Sequence, residues 1–240
     1  ANNLLKPSDG KPVTVPTQDM VLGSYYLTMV DPEEKGAGKL FRDKNEAMMA
    51  YSAGIIGLHA PIRVRLYKNG KSRVEEVTMG QLIFNDPIPQ DLGFVDRSLP
   101  ENEFKLEITR LVTKKELGKI IDRCIRVHGT TVTAEVLDRV KAQGFKYSTK
   151  GAITVSVFDA TIPPEKQQLI ADAEAKIDKI TKQYRRGLIT NDERYHLVID
   201  IWDKTTFAVA DALKDNLDDK NPIFMMADSG ARGSMAQIRQ

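Results

Sequence analysis

The most regular pattern of apolar and polar positions lies in the last third of the chain. Apolar residues recur at Ile170, Ala173, Ile177, Ile180 and Tyr184, at alternating spacings of three and four. That spacing draws one stripe along a helix, the seam of a coiled coil. Pro163-Pro164 stands ahead of it, where prolines suit a helix start. Gly187 breaks the run, and Thr190 with Glu193 forms a capping box for a new helix. A second seam follows at Tyr195, Val198, Trp202, Thr205, Val209 and Ala212. Two seams joined by a few residues fold back on each other. Residues 165–215 are therefore expected to form an antiparallel coiled-coil hairpin that projects from the body, about 30 Å long at ~1.5 Å per residue. Its tip, QYRRGLITNDER, carries Arg185, Arg186, Asp192, Glu193 and Arg194 and exposes Leu188 and Ile189. A solvated end accounts for the charges but not for the two apolar residues, so the tip reads as a docking device.

The middle of the chain is also helical by pattern. Thr113 and Glu116 form a capping box ahead of Leu117, Ile120, Ile121 and Cys124, which share one helix face, and Gly129 ends that helix. A second helix carries Val132, Val136, Leu137 and Val140 and is expected to stop at Gly144. GFKYSTKGAITVSVFD then reads as a loop entering a strand, with Ile153, Val155 and Val157 alternating.

The first third shows shorter periods. MVLGSYYLTMV is a continuous apolar and aromatic run and reads as a buried strand. Asp43 and Glu46 make a capping-box arrangement for a short helix ending near Gly54. In PIRVRLYKNGKSRVEEV, Ile62, Val64 and Leu66 alternate with Arg63, Arg65 and Tyr67, and Asn69-Gly70 supplies a hairpin turn. The expected fold class is α+β: an irregular, β-rich N-terminal part and a helical C-terminal part bearing the hairpin.

Composition narrows the function. With 35 basic and 33 acidic residues in 240, the net charge is +2, too even for an autonomous nucleic-acid binder. One cysteine, Cys124, excludes an internal disulfide and points to a reducing compartment. No apolar run approaches the ~20 residues that span a bilayer, and no signal peptide is visible. The polar start without Met and the helix barely begun at the other end suggest a piece of something larger. Cys124 and His128, four apart on a helix, have a metal-compatible spacing, but two ligands do not make a structural zinc site. His59 and His196 lie far off in sequence, so core packing explains the pair better. Asp86, Asp91 and Asp96 read as a solvated loop.

ADSGARGS carries more chemistry. Glycines let backbone N–H groups turn toward a ligand, and successive N–H groups form an anion nest. Ser234 can cap the helix that follows, and Arg232 adds a fork suited to phosphate oxygens. A tight loop that merely packs closely explains the same residues equally well. A Walker A loop is excluded, because no Gly-Lys-Ser/Thr follows.

Longer stretches are specific enough to resemble a family. MMADSGARGSMAQIRQ and NNLLKPSDGKPVTVPTQDMVLGSYYLT are very similar to segments of the bacterial RNA polymerase β′ subunit. GFKYSTKGAITVSVFD, IPPEKQQLIADAEAKI and GLITNDERYHLVIDIW fall between them in the order the family shows. The resemblance covers essentially the whole chain. It implies an excerpt from the middle of that subunit: a pore-like domain over 1–148, with a hairpin near 62–77 and helices over 114–143, and a funnel-like domain over 149–240. The second would hold the rim-helix hairpin 165–215 and a nucleotide-channel loop at 227–234.

The resemblance further implies a parent complex that is a DNA-directed RNA polymerase, a cytoplasmic nucleotidyltransferase, and a segment inactive by itself. No Asp-x-Asp-x-Asp run occurs here, so no catalytic residue and no metal ligand is assigned; the family's magnesium and zinc are bound outside this segment. Ser229, Gly230, Arg232, Gly233 and Ser234 would line the channel through which nucleotides enter, Arg232 facing the triphosphate. Gln18 and Asp19 would lie near the active centre and the path of backtracked RNA. The tip residues Arg185, Arg186, Leu188, Ile189, Asp192, Glu193 and Arg194 would dock Gre-type cleavage factors or DksA-type regulators. Other implied partners are the remainder of β′, the β, α and ω subunits, sigma through the holoenzyme, nucleoside triphosphates and the RNA 3′ end, with no membrane. Where some members have an Asn-Lys pair for ppGpp just after the tip, this chain has His196-Leu197. The residues alone leave another class open, a free-standing coiled-coil adaptor whose terminal loop binds a phosphorylated partner. The length of the natural reading frame separates the two.

Overall fold

The computed structural model describes residues 4–8, 10–68 and 70–238. Among them the chain forms eight α-helices and one three-stranded sheet, an α+β fold. Its contacts define two compact units, residues 1–153 with 229–232, and residues 154–228 with 233–240.

The first unit is built around α1 (Asp19–Thr28), the segment whose sequence suggests a strand. Val21, Leu22, Gly23, Ser24, Tyr25, Leu27 and Thr28 are all buried, so the helix is covered on nearly every side. A helix buried all round loses its polar face, and with it the period that separates helix from strand. Its hydroxyls are satisfied internally: Ser24 Oγ donates to the Met20 carbonyl at 2.8 Å and Thr28 Oγ1 to the Ser24 carbonyl at 3.0 Å. Three glycines allow the close cover, Gly23 within α1 and Gly144 and Gly80 packed against it. A methyl on Gly23 would lie 1.9 Å from the Gly144 carbonyl oxygen, and one on Gly80 would lie 2.0 Å from that of Leu27.

Gly144 belongs to α4 (Lys114–Gly151), which changes direction at Gly129 (φ 77°, ψ −176°). Gly129 thus breaks the helix as the pattern indicates, with Leu117, Ile120, Ile121 and Cys124 buried before it and Val136 and Val140 after it. Gly144 does not end the second segment. It is a contact point inside the helix, which runs on to Gly151 and closes at Ala152 in the left-handed conformation (φ 48°). The expected strand at 153–157 is therefore absent; Val157–Asp159 forms one 3-10 turn. Its alternation of apolar residues reflects exposure on both sides, with Val157 and Phe158 almost entirely open to solvent.

The sheet follows the sequence closely. β1 (Leu40–Phe41) runs parallel to β2 (Pro61–Lys68), which pairs antiparallel with β3 (Lys71–Thr78). Ile62, Val64 and Val77 face the core and Arg63 and Arg65 face outward. Gly70 takes φ 76° at the turn, as expected, and Asn69 lies outside the described residues. Asp43 caps α2 (Lys44–Ser52), accepting from the Glu46 N–H at 2.9 Å. The pattern does not announce α3 (Met79–Asn85), which is buried throughout and starts with a capping box between Thr78 and Gln81. Asn85 then pairs with both backbone groups of Ile108 through its side chain, at 2.7 and 3.1 Å. The loop between is held by a buried carboxylate, Glu107, which accepts from Arg97 at 3.1 Å and from the Phe94 N–H at 2.8 Å. Burying a charge this way is tolerable because its oxygens have partners.

The second unit contains α5 (Lys166–Arg185) and α6 (Asn191–Asn216). They lie antiparallel: Asn216 Nδ2 donates to Glu165 Oε2 at 3.1 Å at one end, and Arg194 sits over the Tyr184 ring at 5.2 Å near the other. On α5 Ala173 is buried and Ile170, Ile177 and Ile180 are half-buried, as the seam requires, but Tyr184, also expected in it, is 40% exposed. On α6 the covered stripe is Arg194, Val198, Ile201, Thr205, Ala208 and Ala212, with Val209 beside it. Tyr195 and Trp202, expected in the seam, are 56% and 38% exposed. A single helix covers only a narrow arc of its neighbour, and α6 is apolar over a wider one. The unit continues into α7 (Pro222–Asp228), capped by Asn221 Oδ1 on the Ile223 N–H at 2.9 Å, and the short α8 (Met235–Ile238).

Gly144→Ala is expected to destabilise the first unit by about 3 kcal/mol or more, the upper range for overpacking, because the obstruction is backbone rather than a side chain that can move. Gly118→Ala, where nothing lies within 4 Å of the added carbon, should leave stability unchanged or raise it. Urea unfolding of the two variants tests this, and equal midpoints would contradict it.

Candidate functional site

The residues singled out by sequence fall into three places. The loop Ser229–Arg232 packs in the first unit, although it follows the whole hairpin in the chain. Ser229 is fully buried. Its carbonyl accepts from the Lys114 N–H at 2.8 Å, at the first turn of α4, and its hydroxyl accepts from the Ala231 N–H at 3.2 Å. Ala231 in turn packs on the hydrophobic core of the unit. Gly230 adopts φ 72°, a conformation that costs other residues energy. This fixed turn delivers Arg232 to the surface, where it is exposed. Gly233 (φ 75°) and Ser234 follow in the second unit, and Ser234 Oγ caps α8 on the Gln237 N–H at 3.3 Å.

Gln18 and Asp19 open α1. Gln18 has φ 49° and ψ −123°, a strained setting for a residue other than glycine, and its carbonyl accepts from the Val21 and Leu22 N–H groups at 2.9 and 3.0 Å. The structure does not bring this pair to the loop. Met20, beside Gln18, lies against Gly144. Thr28, at the far end of α1, accepts from the Val112 N–H at 2.9 Å, two residues before Lys114. The two candidates are thus separated by the length of α1, ten residues, or about 15 Å of helix.

The third place is the turn between α5 and α6. Gly187 (φ 73°) donates to the Tyr184 carbonyl at 2.9 Å and Leu188 to that of Gln183 at 3.1 Å, so the turn is stapled to the end of α5. Leu188 is 69% exposed and Ile189 is half-buried. Glu193 is committed to the capping box, accepting from the Thr190 N–H at 2.7 Å and from its hydroxyl at 3.0 Å. Those bonds, the backbone one foremost, hold its carboxyl below the usual carboxylate range. Arg194 is occupied by Asn191 Oδ1, at 2.8 Å from Nη2, and by the Tyr184 ring. Arg185, Arg186 and Asp192 remain at the surface, with Asp192 3.9 Å from His196 Nε2. The cap and the ring contact build the turn, while Leu188, the two arginines and Asp192 are displayed by it.

Other candidates resolve into local structure. Cys124 is in the core, and burial pushes its thiol up. His128 turns away to Asp91, 2.6 Å from its Oδ1. Asp86 pairs with Lys44 and Asp96 with Ser98, so the three aspartates are not gathered. No group of three potential metal ligands occurs among the described residues, and none of their helices is long and apolar enough to cross a membrane. Sequence reasoning missed Lys114, whose place beside Ser229 and Gly230 is a tertiary contact without local signature. It also missed α7, for which Asn221-Pro222 was a legible cap and first-turn signal.

Residues 3–160 match the model for RNA polymerase Rpb1, domain 3, and residues 189–240 that for domain 4. The chain belongs to the RNA polymerase Rpb1 family. Over its full length it is 62% identical to the DNA-directed RNA polymerase subunit β′ of Clostridium novyi, 61% to that of Clostridium acetobutylicum and 59% to that of Caldicellulosiruptor saccharolyticus. In each case it spans 21% of the relative's length, about a fifth of these curated proteins.

Thr190→Ala should remove the hydroxyl donor to Glu193 and raise the titration midpoint of that carboxyl toward the ordinary value. A folded-state value below the unfolded one stabilises the turn above the unfolded value, and the contribution fades as pH falls through the folded one. Carboxyl-detected NMR titration of the two proteins would read the shift, and identical midpoints would show that Thr190 does not act on Glu193.

Proposed function

We propose that this chain is a non-catalytic part of a bacterial RNA polymerase β′ subunit, working in DNA-templated transcription. It would line the secondary channel, where nucleotides enter and backtracked RNA leaves, and its hairpin would receive transcript-cleavage or regulatory factors. The observation that carries this reading is the similarity to β′ along the whole chain, the loop and the hairpin turn included. Two features of the fold support the finer roles. The anchored Ser229–Arg232 turn keeps a guanidinium at the surface on a stiff support, as phosphate recognition requires. The capped turn at Gly187–Thr190 holds Leu188 open to solvent, as an anchor for a partner requires.

In this reading nucleotidyl transfer belongs to the whole enzyme, with magnesium held outside the segment. Arg232 adds charge and paired donors toward the incoming triphosphate, and so acts on binding and positioning rather than on the chemical step. The other subunits, sigma and the factors are partners of the assembled polymerase.

In full polymerase, Arg232→Ala should raise the nucleotide KM with at most a smaller fall in kcat. Loss of one charge-assisted contact, about 1.5–3 kcal/mol, corresponds to roughly tenfold to a hundredfold. Single-nucleotide addition on a stalled elongation complex measures it; unchanged kinetics would leave the loop a packing element. Leu188→Ala or Asp192→Lys should weaken factor-stimulated transcript cleavage while unassisted elongation stays near wild type. Equal loss of both activities would assign the turn to folding or assembly instead.

A further inference from the structure

Strand β2 is paired along its whole length on one side and along only part of it on the other. β3 follows it from Pro61 to Lys68, whereas β1 reaches only Phe41, opposite Val64. On the β1 side the Arg63 N–H donates to the Lys39 carbonyl at 2.8 Å, and the Pro61 carbonyl accepts from the Gly38 N–H at 2.7 Å. Backbone groups alternate between the two sides of a strand, so Arg65 and Tyr67 turn theirs the same way as Pro61 and Arg63. After Phe41 the chain leaves the sheet for α2. The Tyr67 N–H and carbonyl therefore have no strand beside them among the described residues. Unpaired groups of this kind are a template for another strand.

Two grooves meet at the exposed Tyr67, and no β3 residue lines either. One runs between the start of α2 and Arg65–Tyr67. The other has Leu66, Phe104 and Leu106 in its lining. The lining cations Arg42, Arg65, Lys68 and Lys105 are exposed and form no ion pair with another described residue. Two carboxylates share the lining, Asp43 and Glu103, and Asp43 is committed to capping α2. The open edge is therefore basic. A second copy laid against it would set like charges side by side, which is unfavourable, whereas an acidic strand finds partners there.

We propose that the Arg65–Lys68 edge of β2 receives, as a further strand, a short extended acidic segment of the same polymerase from outside residues 1–240. The backbone of that segment bonds to Tyr67, its carboxylates meet Arg42 and Arg65, and an apolar side chain enters the groove of Leu66, Phe104 and Leu106. The inference rests on the reading of this chain as part of a larger enzyme. It commits to that occupant because of the size of the site. Four residues of open edge, Arg65 to Lys68, offer far less than the ~1,000 Å² that a separate partner needs. A segment tethered in the same assembly meets the edge at high effective concentration and needs no such area. The relatives supply ample chain for it, since this one spans 21% of their length.

The test is hydrogen exchange at single amides in full polymerase containing this chain. The Leu66 N–H points to β3 and serves as the internal reference. The Tyr67 amide should exchange about as slowly as that of Leu66. Arg42→Glu with Arg65→Glu should speed exchange at Tyr67 by roughly tenfold or more, as loss of a charge-assisted contact does, with Leu66 unchanged. Arg65→Lys keeps the charge and should leave Tyr67 slow. Fast exchange at Tyr67 in the wild-type enzyme overturns this inference and leaves the wider reading standing. Slow exchange that ignores the charge reversal overturns the acidic occupant. A photo-crosslinking residue at position 67 of otherwise wild-type polymerase reads the occupant without disturbing the arginines. The joined peptide should be acidic and lie in the polymerase outside residues 1–240; a peptide from within them, or none, overturns the inference. Polymerase purified from the source cell without peptides of this chain would overturn the proposed function instead.

Discussion

Helix α1 and the second half of α4 approach so closely that side chains would not fit between them at the crossing, and the first unit depends on that approach. Gly23 and Gly144 face each other with backbone against backbone, and Gly80 repeats the arrangement on another side of α1. Close backbone approach brings many weak dispersion contacts into range, and it buries α1 almost completely. The rest of the unit is arranged around that buried helix. The C-terminal end of α1 is tied to Val112 through Thr28, which sets the start of α4. The start of α4 then supplies the N–H that receives Ser229. A packing constraint set by three glycines thus extends, bond by bond, to the loop that carries Arg232.

The same constraint explains where sequence and structure part. Elements with one wet face were legible. In β2, Ile62 and Val64 alternate with Arg63 and Arg65, in α4 Leu117, Ile120 and Cys124 share a face, and the caps at Asp43, Thr113 and Thr190 sit where expected. Elements with no wet face, or no dry one, were not. α1 is buried on almost every side and reads as a strand, and α3 is wholly buried and carries no period. The stretch around Val155 and Val157 has the opposite character, exposed on both sides, so its alternation pairs with nothing. Gly144 looks like a stop because glycine often is one; its role as a contact point depends on Gly23, far away in sequence.

The candidate sites show the same division. The hairpin turn is local in sequence, so its cap, its break at Gly187 and its exposed Leu188 could all be read from residues. The capping box shows that Glu193 has a structural partner, but it does not show that Arg194 is spent on structure too. Arg194 looks like a docking group in a string of letters, yet its guanidinium is taken by Asn191 and the Tyr184 ring, while Glu193 serves the cap with Thr190. At the loop, the glycines were legible as conformational freedom, but the bond that ties the turn down, from the Lys114 N–H to the Ser229 carbonyl, comes from the start of α4. No local pattern announces a contact across so long a stretch of chain.

That separation also has a consequence for how the protein is made. Lys114 leaves the ribosome long before Ser229, and the hairpin is synthesised between them. The α1–α4 crossing can form as soon as Gly144 has emerged, but the N–H of Lys114 must wait for its acceptor until the hairpin has been completed. Closing a flexible loop of roughly 115 residues costs only a few kcal/mol more than closing a short one, since the entropy grows with the logarithm of length. A hairpin that has already folded brings its two ends together and shortens the effective loop. Folding of the hairpin thus reduces the entropy that closing the contact between Lys114 and Ser229 must overcome.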